Sequence, residues 1–301
     1  MADIILHVGI SKTGTTHVQN QLFDCHSGLV NLGKPNFADD ADLLRLNSAI
    51  IGEEFDAEEA RRIVRDKVAP VLAGGRPAIW SEENFSFKPS TAARTAQRLK
   101  ALFPDARILF TIREQRAFLQ SMFFVEQNKA LARGGAIARD IDDWLDAQDG
   151  RPDSILERLD YGRLERLYAG LFGDDRVHVL CFEDMVSDRE AFVRRLAGVL
   201  GVEPTPWLGG SEPGGKPERA RISGRRAALV ALSRVLPLKA MWNRLPHGFR
   251  RHLRSAIDGG APAQAGLAPE WEARLQAVAA PGNRDLAARQ GLDLAKRGYW
   301  L

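Results

Sequence analysis

The sequence predicts an α/β fold, a three-layer domain whose central parallel sheet is flanked by helices. Three observations carry that prediction. Four short runs, Ile4–Val8, Pro77–Ser81, Arg107–Ile112 and Val177–Phe182, are apolar nearly throughout rather than alternating, as strands buried on both faces are. A helical pattern follows each run, and strands alternating with helices make a parallel sheet. Polar residues gather just past the end of every run, where open parallel sheets bind their ligands.

In chain order, Ile4–Val8 stops at Gly9, turns through small residues and enters a helix marked by Val18, Leu22 and Phe23. Residues 26–56 read as irregular, with Gly28, Gly33, Pro35 and an acidic patch of Asp39, Asp40 and Asp42. A helix over 57–73 sets Ala60, Ile63, Val64, Val68, Val71 and Leu72 on one face, and Gly74-Gly75 ends it. The strand Pro77–Ser81 runs directly into Glu82-Glu83-Asn84-Phe85. A helix over 91–103 is punctuated by Pro104-Asp105. The strand Arg107–Ile112 is followed by Arg113, Glu114, Gln115 and Arg116 and by a long helix through Phe118, Leu119, Met122, Phe123 and Val125. A helix over 161–172, the strand Val177–Phe182 and a helix over 190–200 capped by Gly201 complete the pattern. Residues 204–217 are a Pro/Gly-rich loop, so the chain is read as a single domain, 1–301.

Bulk properties narrow the class. The 301 residues can bury a large core. No apolar run approaches the roughly 20 residues of a membrane span, and residues 1–8 lack the basic start of a signal peptide. Cys25 and Cys181 are too few for a disulfide framework or a zinc site and suit a cytoplasmic protein. Between Arg219 and Ile257 there are ten Lys and Arg and no acid, so the rest of a chain at +3 carries −7. This segment, read as a basic helical stretch at about 219–257, is either a solvated face or a positive surface for an anionic ligand. Val230–Leu245, with Trp242, is where a peripheral membrane or lipid-linked contact would be made.

The chemistry starts in the first loop. Strand, tight polar turn and helix is the arrangement that points backbone N–H groups at an anion. Gly9-x4-Gly14 fits the frame of a P-loop, which makes the domain P-loop-like. Thr15, however, stands where the lysine belongs, and the only lysine, Lys12, lies inside the loop. Lys12, the N–H groups of Thr13 through Thr16 and the hydroxyls of Thr15 and Thr16 suit one phosphate better than the β/γ-phosphates of ATP. No metal is expected.

Lys12-Thr13-Gly14-Thr15-Thr16 after a first strand resembles the 5′-phosphosulfate loop of sulfotransferases that use 3′-phosphoadenosine 5′-phosphosulfate (PAPS), with Ser11 in place of the usual proline. Arg113 at a strand end and Ser121 eight residues on resemble that family's 3′-phosphate pair. The run from Tyr161 through Phe182-Glu183-Asp184 to Leu200-Gly201, and the tail Asn283–Ala287 with Gly298-Tyr299-Trp300, resemble bacterial members. The resemblance implies sulfuryl transfer from PAPS to a hydroxyl or amine of a carbohydrate or small-molecule acceptor. It implies that Phe182 packs on the adenine, against its reading as a core residue at a strand end. Glu183 and Asp184 would be mostly structural. Lys216 would belong to a basic segment over the donor. Lys12 would stabilise the leaving phosphate, and the general base would be Glu83, ahead of Glu82. His17 is a rival from the helix surface, and His7 reads better as a packed strand residue. The alternatives are a P-loop kinase, or a non-catalytic module binding nucleotide or, less expected, nucleic acid through the basic segment.

Overall fold

In the computed structural model, residues 3–34, 36–133, 138–205 and 265–301 are described, with isolated positions between 225 and 253. Lys216 and most of the basic segment 219–257 lie outside them. The chain groups into two compact units. One comprises Met1–Glu114, Pro152–Gly210 and Gln276–Leu301, the other Gln115–Arg151 and Ser211–Leu275.

The first unit holds a five-stranded sheet in the order β2-β3-β1-β4-β5. The strands are β1 Ile4–His7, β2 Val30–Asn31, β3 Ala78–Ser81, β4 Arg107–Ile112 and β5 Val177–Cys181, all paired in parallel. The register sets His7 beside Ser81 on one side and Leu109 on the other, so β1 and β3 end together while β4 runs three residues further, to Ile112. Ile5, Ile79, Leu109 and Leu180, one from each of four adjacent strands, pack on Val18, Leu22, Phe23, Phe192, Leu196 and Leu200. Those residues lie on the helix α1 (Thr15–Val18), its π-helical continuation Gln19–Phe23, and α10 (Arg189–Leu200). On the opposite face Trp80 meets Phe103 at 6.2 Å between ring centroids, and Phe110 stands edge-on to Tyr168 at 5.3 Å. These bring in α5 (Pro89–Leu102) and α8 (Tyr161–Phe172). Three layers with a buried parallel sheet are the expected P-loop-like architecture.

The main departure from expectation lies in residues 26–56, which hold regular elements where an irregular segment is expected. They contain the two-residue strand β2 and an eleven-residue helix α2, Ala41–Ile51. Asp40, one member of the acidic patch, caps that helix by accepting from the amides of Asp42 (2.9 Å) and Leu43 (3.2 Å). Leu43, Leu46, Asn47 and Ile50 are its buried stripe. The helix expected over 57–73 is present as α3 (Ala57–Ile63), a π-helical turn Val64–Val68 and α4 (Ala69–Ala73). Strand β5 stops at Cys181, and Phe182 opens a short helix α9, Phe182–Ser187.

The second unit is helical where described: α6 (Gln115–Arg133), α7 (Ile141–Asp146) and the start of α11 (Pro269–Gln290), whose later turns belong to the first unit. Phe123 packs on Trp144 at 5.8 Å, Trp271 Nε1 donates to Asp146, and Arg116 pairs with Glu272. No described helix is long and apolar enough to cross a membrane.

Candidate active site

The site is built outward from the end of β1. Neighbouring strands β1 and β4 continue in opposite directions along the sheet, to β2 and to β5, which is the kind of switch point where α/β sheets bind ligands. Past β1 the chain turns through two left-handed residues, Lys12 at φ +70° and Gly14 at φ +84°. A lysine in that region costs of order 1 kcal/mol and persists only where its surroundings fix it. Here Arg113 Nη1 donates to the Lys12 carbonyl at 3.2 Å. Gly14 is favoured by its φ, and a Cβ there would also press on the Phe182 ring, 3.0 Å away. Gly9 is required by close approach alone, since its Cβ would lie 2.6 Å from His7 Nε2.

Thr15 and Thr16 open α1, so their amides sit in the first turn, without intrahelical acceptors. The amides of His17 and Val18 are both turned back to the Gly14 carbonyl, at 3.0 and 3.1 Å. Thr16 is exposed and His17 half-buried on α1. Thr15 is buried, and its hydroxyl donates to Glu83 Oε1. Thr13 is also buried, donating to the Ile10 carbonyl at 2.6 Å and lying 2.6 Å from the Thr111 hydroxyl.

The two carboxylates after β3 have different surroundings. Glu82 is 1% exposed and accepts from Lys34 Nζ (2.7 Å), the Asn84 amide (2.9 Å) and Asn47 Nδ2 (3.3 Å). Glu83 is half-buried and touches the loop through Thr15. His7 is fully buried, and burial lowers its pKa to about 3. It is a neutral core residue.

At the end of β4, the Arg113 guanidinium lies 4.7 Å from the centre of the Phe182 ring. Its backbone is pinned by Tyr161, whose hydroxyl donates to the Arg113 carbonyl at 2.8 Å. The Glu114 amide donates to Glu183 Oε1 (2.9 Å), and the Tyr299 hydroxyl donates to Glu183 Oε2 (2.8 Å). Burial raises the Glu183 pKa. Asp184 is gripped at both oxygens by Arg297, at 2.6 and 3.0 Å. Glu183 and Asp184 therefore fasten the exit of β4 to the C-terminal tail.

In the first unit the fold thus gathers Lys12–Thr16, Glu83, Arg113 and Phe182. Ser121 lies in the second unit, half-buried on α6, and Lys216 lies outside the described residues. Among the supporting residues, Tyr161 and Met185 fall within the run that carried the resemblance, whereas Thr111 and Gln19 carried no motif. Thr111 and Ser81 were visible only as polar residues in apolar strands.

The chain matches the family described as "Sulfotransferase family" over residues 5–206. No curated protein matches it. Among solved structures it is similar to a sulfotransferase from Alicyclobacillus acidocaldarius, with a TM-score of 0.53, 17% identity and 99% of each chain covered. That likeness speaks to the fold. More distant are the sulfotransferase domain from the Curacin biosynthetic pathway (TM-score 0.40, 15% identity, 69% of this chain and 77% of that one) and mouse sulfotransferase SULT7A1 complexed with PAP (0.38, 15%, 67% and 60%). Neither bears weight here.

Proposed function

Because the chain belongs to the sulfotransferase family and is therefore a transferase, we propose that it moves the sulfuryl group of PAPS to a hydroxyl or amine of a carbohydrate or other small acceptor. One observation carries the choice of donor. The Arg113 cation leans on the Lys12 carbonyl and on Phe182, so a second cationic anchor stands directly beside the left-handed loop. Two adjoining sets of anion-binding groups suit a nucleotide with two separate anionic ends. Lys12 and the amides of Thr13, Gly14, Thr15 and Thr16 would hold the 5′ end. Arg113, helped by Ser121 eight residues on, would hold the 3′-phosphate, and Phe182 would border the base.

When bound, PAPS supplies a sulfuryl group on a phosphate leaving group. The residues' own part is positioning and charge. Lys12 counters the negative charge that grows on the leaving oxygen, with Thr16 assisting from the exposed side of the loop. Glu83 takes the proton of the attacking hydroxyl. The Thr15 hydroxyl already occupies Oε1, which leaves Oε2 for the acceptor. The burial of Glu82 and its three partners favour Glu83 over it in that role. His17 is the second candidate, because it also lies at the start of α1. Lys216 and the basic segment would add positive charge over the donor, or meet a membrane surface. Nucleic acid is not the expected partner. With Cys25 and Cys181 both free, the proposed setting is the cytoplasm.

The test is release of 3′-phosphoadenosine 5′-phosphate (PAP) from PAPS in the presence of a panel of sugars and small alcohols or amines. Acceptor-dependent release that disappears in Lys12→Ala is expected. Phosphoryl transfer from ATP with none from PAPS would overturn the proposal.

A further inference from the structure

Beneath the loop runs a line of hydrogen bonds whose direction can be worked out from one end. The Ile10 carbonyl can only accept, so the Thr13 hydroxyl, 2.6 Å away, gives it its single proton. Thr13 Oγ1 also lies 2.6 Å from Thr111 Oγ1, and with its own proton spent it must be the acceptor there. Thr111 in turn can only accept from His7 Nε2, at 3.4 Å the longest link. His7 therefore carries a proton on Nε2, and because burial keeps the ring neutral its Nδ1 is bare and accepts from the Ser81 hydroxyl at 2.7 Å. Ser81, its proton used, accepts from Gln19 Nε2 at 2.7 Å. Every hydroxyl in the line gives once and takes once.

The line crosses three adjacent strands, with Ser81 on β3, His7 on β1 and Thr111 on β4, and it ends in the loop at Thr13. All five side chains are buried. The imidazole also sits directly under the start of the loop, which is why Gly9 has no room for a Cβ. Edge-on packing against Phe23, at 5.5 Å between ring centroids, holds the ring from the helix side.

We propose that His7 is a positioning residue, whose neutral Nε2–H form, fixed between Ser81 and Thr111, orients Thr13 and so sets the anion-binding shape of the loop without touching the donor. Thr13 sits between the two left-handed residues. Fixing its hydroxyl on Ile10 fixes the turn that aims the loop's amides. The consequence for donor binding rests on the proposed PAPS reading. The tautomer does not.

The experiment has two arms on the full chain. Side-chain nitrogen NMR of 15N-histidine-labelled protein is expected to show one imidazole, perturbed by Thr111→Val, with bare Nδ1 and protonated Nε2 from pH 5 to 8. A His7 protonated on Nδ1, or titrating near 6.5, would overturn the proposal. In the second arm, Thr111→Val should weaken PAP binding about tenfold, the cost of one buried hydrogen bond. Thr111→Ser, which keeps the hydroxyl, should restore it. Wild-type PAP affinity in Thr111→Val with an unchanged tautomer would also overturn it. If the wild-type chain binds no PAP at all, the donor reading fails, and the tautomer alone decides the role of His7.

Discussion

Two buried polar clusters meet at consecutive residues of one strand end. Ser81 belongs to a neutral cluster with His7, Gln19 and Thr111 that ends at Thr13 in the loop after β1. Glu82, the next residue, turns the other way into an ionised cluster with Lys34 and Asn47, and Asn47 also accepts from Trp80 Nε1 at 3.3 Å. Alternation along a strand separates the two. The neutral cluster adds no charge of its own beneath the turn that carries Lys12. The ion-paired one ties Lys34, three residues past β2, and Asn47 of α2 to Glu82 at the end of β3. Glu83, one residue on, reaches the loop through the Thr15 hydroxyl.

That contrast breaks or sharpens under substitution. Glu83→Gln should lower kcat by about 10²–10⁴, the range for losing a general base, with no change in melting temperature. An equal loss in His17→Gln with Glu83→Gln active would move the base to His17. Arg113→Ala should weaken PAP by about 10–100-fold, as loss of a charge-assisted hydrogen bond to phosphate does. Binding of adenosine 5′-phosphosulfate, which lacks the 3′-phosphate, should survive; equal loss of both nucleotides would refute that assignment. Glu82→Gln should instead cost about 1–3 kcal/mol in denaturant unfolding, while turnover per folded molecule holds.

Acid should act through the neutral cluster. Folded His7 has its pKa lowered to about 3 by burial, against 6.5 when free. Between those values the unfolded chain binds the extra proton. Stability is therefore unaffected above 6.5 and falls as the pH is lowered toward 3, by at most about 1.4 kcal/mol per pH unit. Chemical denaturation across pH 7 to 4 should show that slope, and His7→Gln should flatten it. An unchanged slope would place the acid sensitivity elsewhere.

What was legible in the sequence follows the same division. Strands such as Arg107–Ile112 and the helix Tyr161–Phe172 are long, patterned and punctuated, and the structure has them at those bounds. The loop was legible because its constraints are local: Gly14 and Lys12 act within a few residues of each other. Residues 26–56 were not. The two-residue β2 has too little pattern to read, and Gly28, Gly33 and Pro35 masked a helix whose cap, Asp40, looked like one more surface acid. The network under the loop was equally hidden, because His7 finds its partners 74 and 104 residues away. The R-x7-S spacing of Arg113 and Ser121 could be read, but the two residues belong to different units, so it stands on sequence.

The most direct test of the donor is calorimetry of the full chain with PAP and, separately, with ATP·Mg²⁺. Submicromolar-to-micromolar binding of PAP that is lost in Arg113→Ala, with ATP·Mg²⁺ far weaker, is the predicted result. Binding of ATP·Mg²⁺ in that range with none of PAP would contradict it.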